Sequence, residues 1–120
     1  MIERAGRGIL IAQRRAGSSH ALKWEFPGGK VDAGETPETA LARELQEELA
    51  IQAVIDREIL RYEYSYAGKP PILLIFFAVT DFYGEPSNRV FERIAWAGRR
   101  ELSGYDFLEG DAEIVRQLGE

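Results

Sequence analysis

Apolar residues along this chain follow two different spacings. Residues 8–13 (GILIAQ) and 71–80 (PILLIFFAVT) are dense β-rich runs, and residues 58–66 (EILRYEYSY) alternate as a half-buried strand does. The second run is continuous, which predicts a strand covered on both faces. The break at 67–70 (AGKP) predicts a hairpin joining it to the strand before. Leu41, Leu45 and Leu49 recur every fourth residue, the apolar stripe of a helix. Thr36 and Pro37 begin that helix, with a hydroxyl at the N-cap and proline at the first helical position, so it spans about residues 37–49. Residues 24–26 form a short extended piece stopped by Pro27, Gly28 and Gly29. Residues 94–97 read as another short strand, and 14–20 and 82–88 as loops. Residues 111–118 close the chain as a helix with Ile114, Val115 and Leu118 inward. Strands interrupted by one central and one terminal helix predict an α/β fold, a mixed sheet between helices.

Length and composition narrow this further. At 120 residues and 45% apolar content, the chain fits a single domain, 1–120, with one core. It has no cysteine, which excludes disulfides and thiolate metal sites. With no signal peptide and no run long enough to span a bilayer, the expectation is a soluble cytoplasmic protein without a membrane partner. A formal charge of −5 argues against a nucleic acid polymer as partner. The oligomeric state stays open between monomer and homodimer.

Carboxylates on the central helix carry the candidate chemistry. Glu44, Glu47 and Glu48 stand at i, i+3 and i+4, within about one third of the helix circumference. Three like charges side by side destabilise one another by a few tenths of a kcal/mol per pair. They line up beside the stripe Leu41, Leu45, Leu49 rather than opposite it, at the rim of the core. Hard oxygen ligands there suit Mg²⁺ or Mn²⁺; a solvated acidic face is the plainer alternative, and Arg43 can pair with Glu47 but cannot satisfy all three.

Residues 29–51 resemble the Nudix box, G-x5-E-x7-R-E-U-x-E-E-x-G-U with U aliphatic. Gly29, Glu35, Arg43, Glu44, Leu45, Glu47, Glu48 and Ile51 match in register, eight of the nine defined positions, and Ala50 stands where the family has its last glycine. That glycine ends the helix in a left-handed conformation, where alanine costs about 1 kcal/mol. The approach through residues 24–30 (WEFPGGK) is similar to the MutT-like branch. The resemblance implies an α/β/α sandwich in which the first strand, already ending where this chain starts, is truncated or shortened.

It also implies an activity: Mg²⁺-dependent hydrolysis of a nucleoside diphosphate linked to another group, foremost a (d)NTP, an oxidised purine such as 8-oxo-dGTP included, to the monophosphate and pyrophosphate. Hydrolysis of ADP-ribose or a nucleotide sugar is the alternative within the class, and a noncatalytic nucleotide sensor the alternative outside it. The partner in each case is a small nucleotide. Glu44 is the implied base, and Glu47, Glu48 and the Gly28 carbonyl the implied metal ligands, Glu44 also reaching the metal; Gly28 as a plain turn glycine is the alternative. Gly29 would let the backbone pass close to the metal, and Glu35 and Arg43 are expected to pair and fix the loop to the helix.

Substrate contacts are less marked. Arg14 stands where MutT-like proteins reach the phosphates, yet a surface arginine would look the same. Lys30 is as compatible with solvent as with phosphate. Asp111 stands where such proteins read a purine edge, with Phe26 or Tyr64 as an apolar wall, but an aspartate opening a helix is also what capping selects. His20, the only histidine, has no partner for a triad or a metal site and reads as an incidental loop residue. The loop glutamate that some relatives use falls on Val90, and Glu85 and Glu92 are out of register.

Overall fold

The computed structural model describes residues 1–29 and 31–120. In chain order the elements are β1 (Ile2–Arg4), β2 (Gly8–Gln13), β3 (Trp24–Glu25), α1 (Pro37–Leu49), β4 (Gln52–Val54), β5 (Glu58–Tyr64), β6 (Ile72–Phe77), β7 (Asp81–Tyr83), β8 (Arg93–Ala97) and α2 (Ala112–Leu118). Segments of 3-10 helix cover Arg99–Gly104 and Glu109–Asp111.

Strand β2 is the axis. It pairs antiparallel with β1 and β8, and with β3 near its end. Its alternation sends Ile9 and Ile11 to one side, against Ile114 and Leu118 of α2. Leu10 and Ala12 face the other way, against Leu45 and Leu49 of α1. All four β2 residues are fully buried. Period-two alternation in a strand with both faces covered thus yields two cores and an α/β/α sandwich. Parallel bridges Ile2 to Val79 and Trp24 to Phe107 make the sheet mixed. Strand β1 has three residues, and the Met1 α-ammonium donates to the Phe77 carbonyl at 2.8 Å.

Helix α1 begins at Thr36, whose hydroxyl accepts the Thr39 N–H at 3.1 Å, with Pro37 in the first turn. It ends at Ala50 in the left-handed region, φ 58° and ψ 34°.

Two expectations fail in part. Strand β6 is not covered on both faces, since Ile72 and Leu73 are exposed and only Phe76 and Phe77 are buried. Residues 82–88 do not form a loop throughout, because Asp81–Tyr83 pairs with Gln52–Val54. The latter strand has only three residues, too few for an alternation to mark it. The β5–β6 hairpin forms as expected, with a register shift near Glu58.

Candidate functional site

The turn at Pro27, Gly28 and Gly29 lies against the acidic side of α1. Gly28 has φ 155°, and a Cβ on Gly29 would lie 2.5 Å from the Glu44 carboxyl carbon. Only a residue without a side chain lets the backbone pass this close to Glu44. Strand β3 and the residue after it place Trp24 and Phe26 in the α2-side core, and Glu25 close enough to Glu48 of α1 for their charges to interact.

Arg43 organises part of the carboxylate set. Its guanidinium donates to both Glu35 oxygens at 2.8 and 2.9 Å, to Glu44 at 2.9 Å and, weakly, to Glu47 at 3.4 Å. Glu35 also accepts the Asp32 N–H, so the loop is fixed to the helix, and its carboxyl is held below the usual range by Arg43 and then by that backbone bond. The three helix glutamates do not converge equally. Glu44 is held inward, whereas the Glu47 side chain is 57% exposed beside Arg43. Among the described residues no three acidic groups form a closed ligand cage, although Glu44 and Glu48 lie close enough to interact.

Glu48 is the strained member. Its Oε1 is buried without a hydrogen-bond partner. Burial first, then the charges of Glu44 and Glu25, push its carboxyl up to about 8, while a backbone hydrogen bond from Gly28 works the other way. Glu25 is raised too, by burial, with Arg14 opposing at 3.3 Å. Sequence reasoning missed Glu25. The available signal was an acidic residue between two core aromatics in a strand, which alternation must turn toward α1.

Beside the glycine turn opens a cavity of about 440 Å³, bordered by Arg14, Glu25, Phe26, Gly28, Gly29 and Asp111 among others. Arg14, Phe26, Gly28 and Asp111, far apart in sequence, therefore meet. Arg14 is not a free surface arginine: it donates to the Ser19 carbonyl and hydroxyl and to Glu25. Asp111 is 7% exposed. It opens α2 but makes no side-chain cap bond. Capping needs an extended residue whose side chain folds back over the first amides, whereas Asp111 has φ −93° and ψ 0° at the end of a 3-10 turn. Its carboxyl is pushed up to about 7 by burial and by Glu25, against a hydrogen bond from the Phe26 backbone.

The other expected positions fall elsewhere. Tyr64 donates its hydroxyl to Glu109 at 3.0 Å, and it is Tyr66 that borders the cavity with Phe26. His20, expected to be incidental, borders the cavity too. Val90 is exposed, Glu85 binds Arg4 and Arg7, and Glu92 accepts the Ala16 N–H, so none of the three supplies a carboxylate to the cavity. Lys30 lies outside the described residues.

Comparison with known proteins identifies the family and matches the fold. The NUDIX domain family matches residues 1–118. The 8-oxo-dGTP diphosphatase of Haemophilus influenzae is 39% identical over 92% of this chain and 80% of its own. The CTP pyrophosphohydrolase of Escherichia coli is 36% identical over 96% of this chain and 84% of its own. The solution structure of the E. coli ORF135 protein superposes with a TM-score of 0.82 at 31% identity, covering 96% of this chain and 84% of that one.

Proposed function

Because the chain belongs to the NUDIX domain family, we propose that it is a Mg²⁺-dependent hydrolase, Mn²⁺ serving as substitute, that cleaves nucleoside triphosphates to the monophosphate and pyrophosphate. The observation that carries this is the Gly28–Gly29 turn, which packs against Glu44 of α1 and itself borders a cavity lined also by Arg14, Phe26 and Asp111. The names of two relatives, an 8-oxo-dGTP diphosphatase and a CTP pyrophosphohydrolase, favour triphosphates over ADP-ribose or nucleotide sugars. Among triphosphates an oxidised purine such as 8-oxo-dGTP is the foremost candidate. On this reading the residues fall in one domain, 1–120, the family match running through residue 118.

The donor set fits a divalent cation. Glu48 has a buried oxygen with no hydrogen-bond donor to satisfy it, and its carboxyl stays ionised at neutral pH only at a cost that a nearby positive charge would remove. The remaining donors are oxygens, as hard cations require. Glu44, Glu47, Glu48 and the Gly28 carbonyl would hold the metal. When bound, it supplies charge neutralisation on the phosphates and polarisation at phosphorus.

The protein's own groups do the rest. Glu44, kept in place by Arg43, takes the proton of the attacking water. Arg14, steadied by Ser19 and Glu25, holds phosphate oxygens by charge-assisted hydrogen bonds. Phe26 and Asp111 receive the base, the ring by its face and the carboxyl by its edge. Glu35 and Arg43 keep the turn against the helix.

A panel of nucleoside triphosphates, ADP-ribose and nucleotide sugars with Mg²⁺, assayed for pyrophosphate against phosphate, tests the reading. Pyrophosphate should be released from triphosphates, and Glu48→Gln should cut turnover by orders of magnitude while circular dichroism stays unchanged. Full activity in that variant, or release of phosphate alone, would sink the assignment.

A further inference from the structure

The loop between β2 and β3 borders the cavity through Arg14 and His20. Its stem is tied by the Arg14 N–H to the Lys23 carbonyl at 2.9 Å and the Leu22 N–H to the Arg14 carbonyl at 3.0 Å. The Arg14 guanidinium grips Ser19 from inside at 2.8 and 3.1 Å. The next residue, His20, has φ 54°, and Leu22 has φ 64°, both uncommon for residues with a side chain. In this conformation the His20 ring lies 4.8 Å from the Tyr66 ring, centroid to centroid. Tyr66 belongs to the other wall, just beyond β5.

Tyr66 is itself fixed. Its hydroxyl accepts the Gly110 N–H at 3.1 Å, and a Cβ on Gly110 would lie 2.6 Å from that oxygen. Gly110 directly precedes Asp111. A continuous chain of contacts therefore runs from Glu25 through Arg14 and Ser19 to His20, across to Tyr66, and on to the turn bearing Asp111. Both rings border the cavity.

We propose that His20 and Tyr66 form a paired aromatic wall that closes over the nucleobase, making His20 a positioning residue for the base. This rests on the nucleotide reading above. An aromatic face stacks on any base, because every base has a π-face, so the wall grips purines and pyrimidines alike and leaves discrimination to the edge contacts at Asp111. It touches neither the phosphates nor the attacking water. Its loss should show in binding rather than in the chemical step.

The test compares His20→Ala, His20→Phe and His20→Lys with the wild type. His20 is exposed in a loop, so none of these removes core packing. Expected are a KM about tenfold higher in His20→Ala for both a purine and a pyrimidine triphosphate, kcat within about twofold, recovery in His20→Phe and none in His20→Lys. The same pattern is expected in the Kd of an α,β-imido triphosphate analogue measured by calorimetry. An unchanged KM and Kd in His20→Ala would overturn the wall. So would recovery by lysine and not by phenylalanine, which would assign His20 to the phosphates. A wild type that binds the analogue but hydrolyses no triphosphate would end the hydrolase reading alone, with the wall still decided by the Kd series; a wild type that binds no analogue overturns both.

Discussion

Asp111 is a carboxyl withdrawn from water beside Glu25, and its pKa of about 7 in the fold stands against 3.8 for an unperturbed aspartate. The folded state therefore binds the proton more tightly than the unfolded one. Its contribution to stability is fullest below about pH 4 and is lost as pH rises toward 7. Asp111→Asn removes that proton. The wild-type stability minus that of the variant, from urea unfolding at a series of pH values, should fall by a few kcal/mol across this window. Met1, whose buried α-ammonium is held down to about 5, gives the opposite slope, and Glu48 also titrates; both cancel in the difference. A flat difference would show that Asp111 is solvated. Asp111→Ala should also collapse the purine-to-pyrimidine ratio of kcat/KM if the carboxyl reads the base edge, and an unchanged ratio would remove it from base recognition. Apart from the family resemblance, the sequence marks Asp111 only as polar at a helix start, because capping and cavity lining select the same residue type. The 3-10 turn that bears the carboxyl is tied by the Gly110 N–H to the Tyr66 hydroxyl, 44 positions away in sequence.

Helix α1 was legible almost completely, since stripe, N-cap, proline and acidic side are all written within one turn of their partners. Its end is legible too, because Ala50 takes the left-handed conformation that the family glycine would take. An alanine there is strained by about 1 kcal/mol, partly offset in a glycine variant by the larger entropy of its unfolded chain. Ala50→Gly should therefore stabilise by up to about 1 kcal/mol in urea unfolding, with kcat unchanged; a destabilised variant would mean that the Ala50 methyl packs usefully. The short strands were the illegible elements. Gln52–Val54 and Asp81–Tyr83 are three residues each and mostly exposed, so no periodicity can build up, and each exists because the other is there to pair with. For β6 the composition misled: Ile72 and Leu73 read as core but stand on the exposed end of the hairpin. Tertiary pairing, not propensity, decides such cases.

Across the whole molecule, a charge of −5 and a crowded acidic rim mean that part of the fold's stability is given up to keep carboxylates near one another. A cation that binds the folded rim and not the unfolded chain returns it by mass action. Mg²⁺ at about a hundred times its Kd should stabilise by about 2.7 kcal/mol, a rise in Tm of about 10 °C at about 4 °C per kcal/mol. Glu48 is the place to cut this link. At pH 8.5, above its pKa of about 8, the carboxyl is ionised against Glu44 and Glu25, which lowers the stability of the cation-free fold. Glu48→Gln should then raise Tm in EDTA and, in the same protein, lose most of the increment that Mg²⁺ gives the wild type. Differential scanning calorimetry of both chains with EDTA and across a Mg²⁺ series reads the two effects separately. A higher EDTA Tm with the full Mg²⁺ increment would place the cation elsewhere. A lower EDTA Tm would mean that Glu48 is held for packing, and that its unpartnered oxygen is not the strained group that a metal relieves.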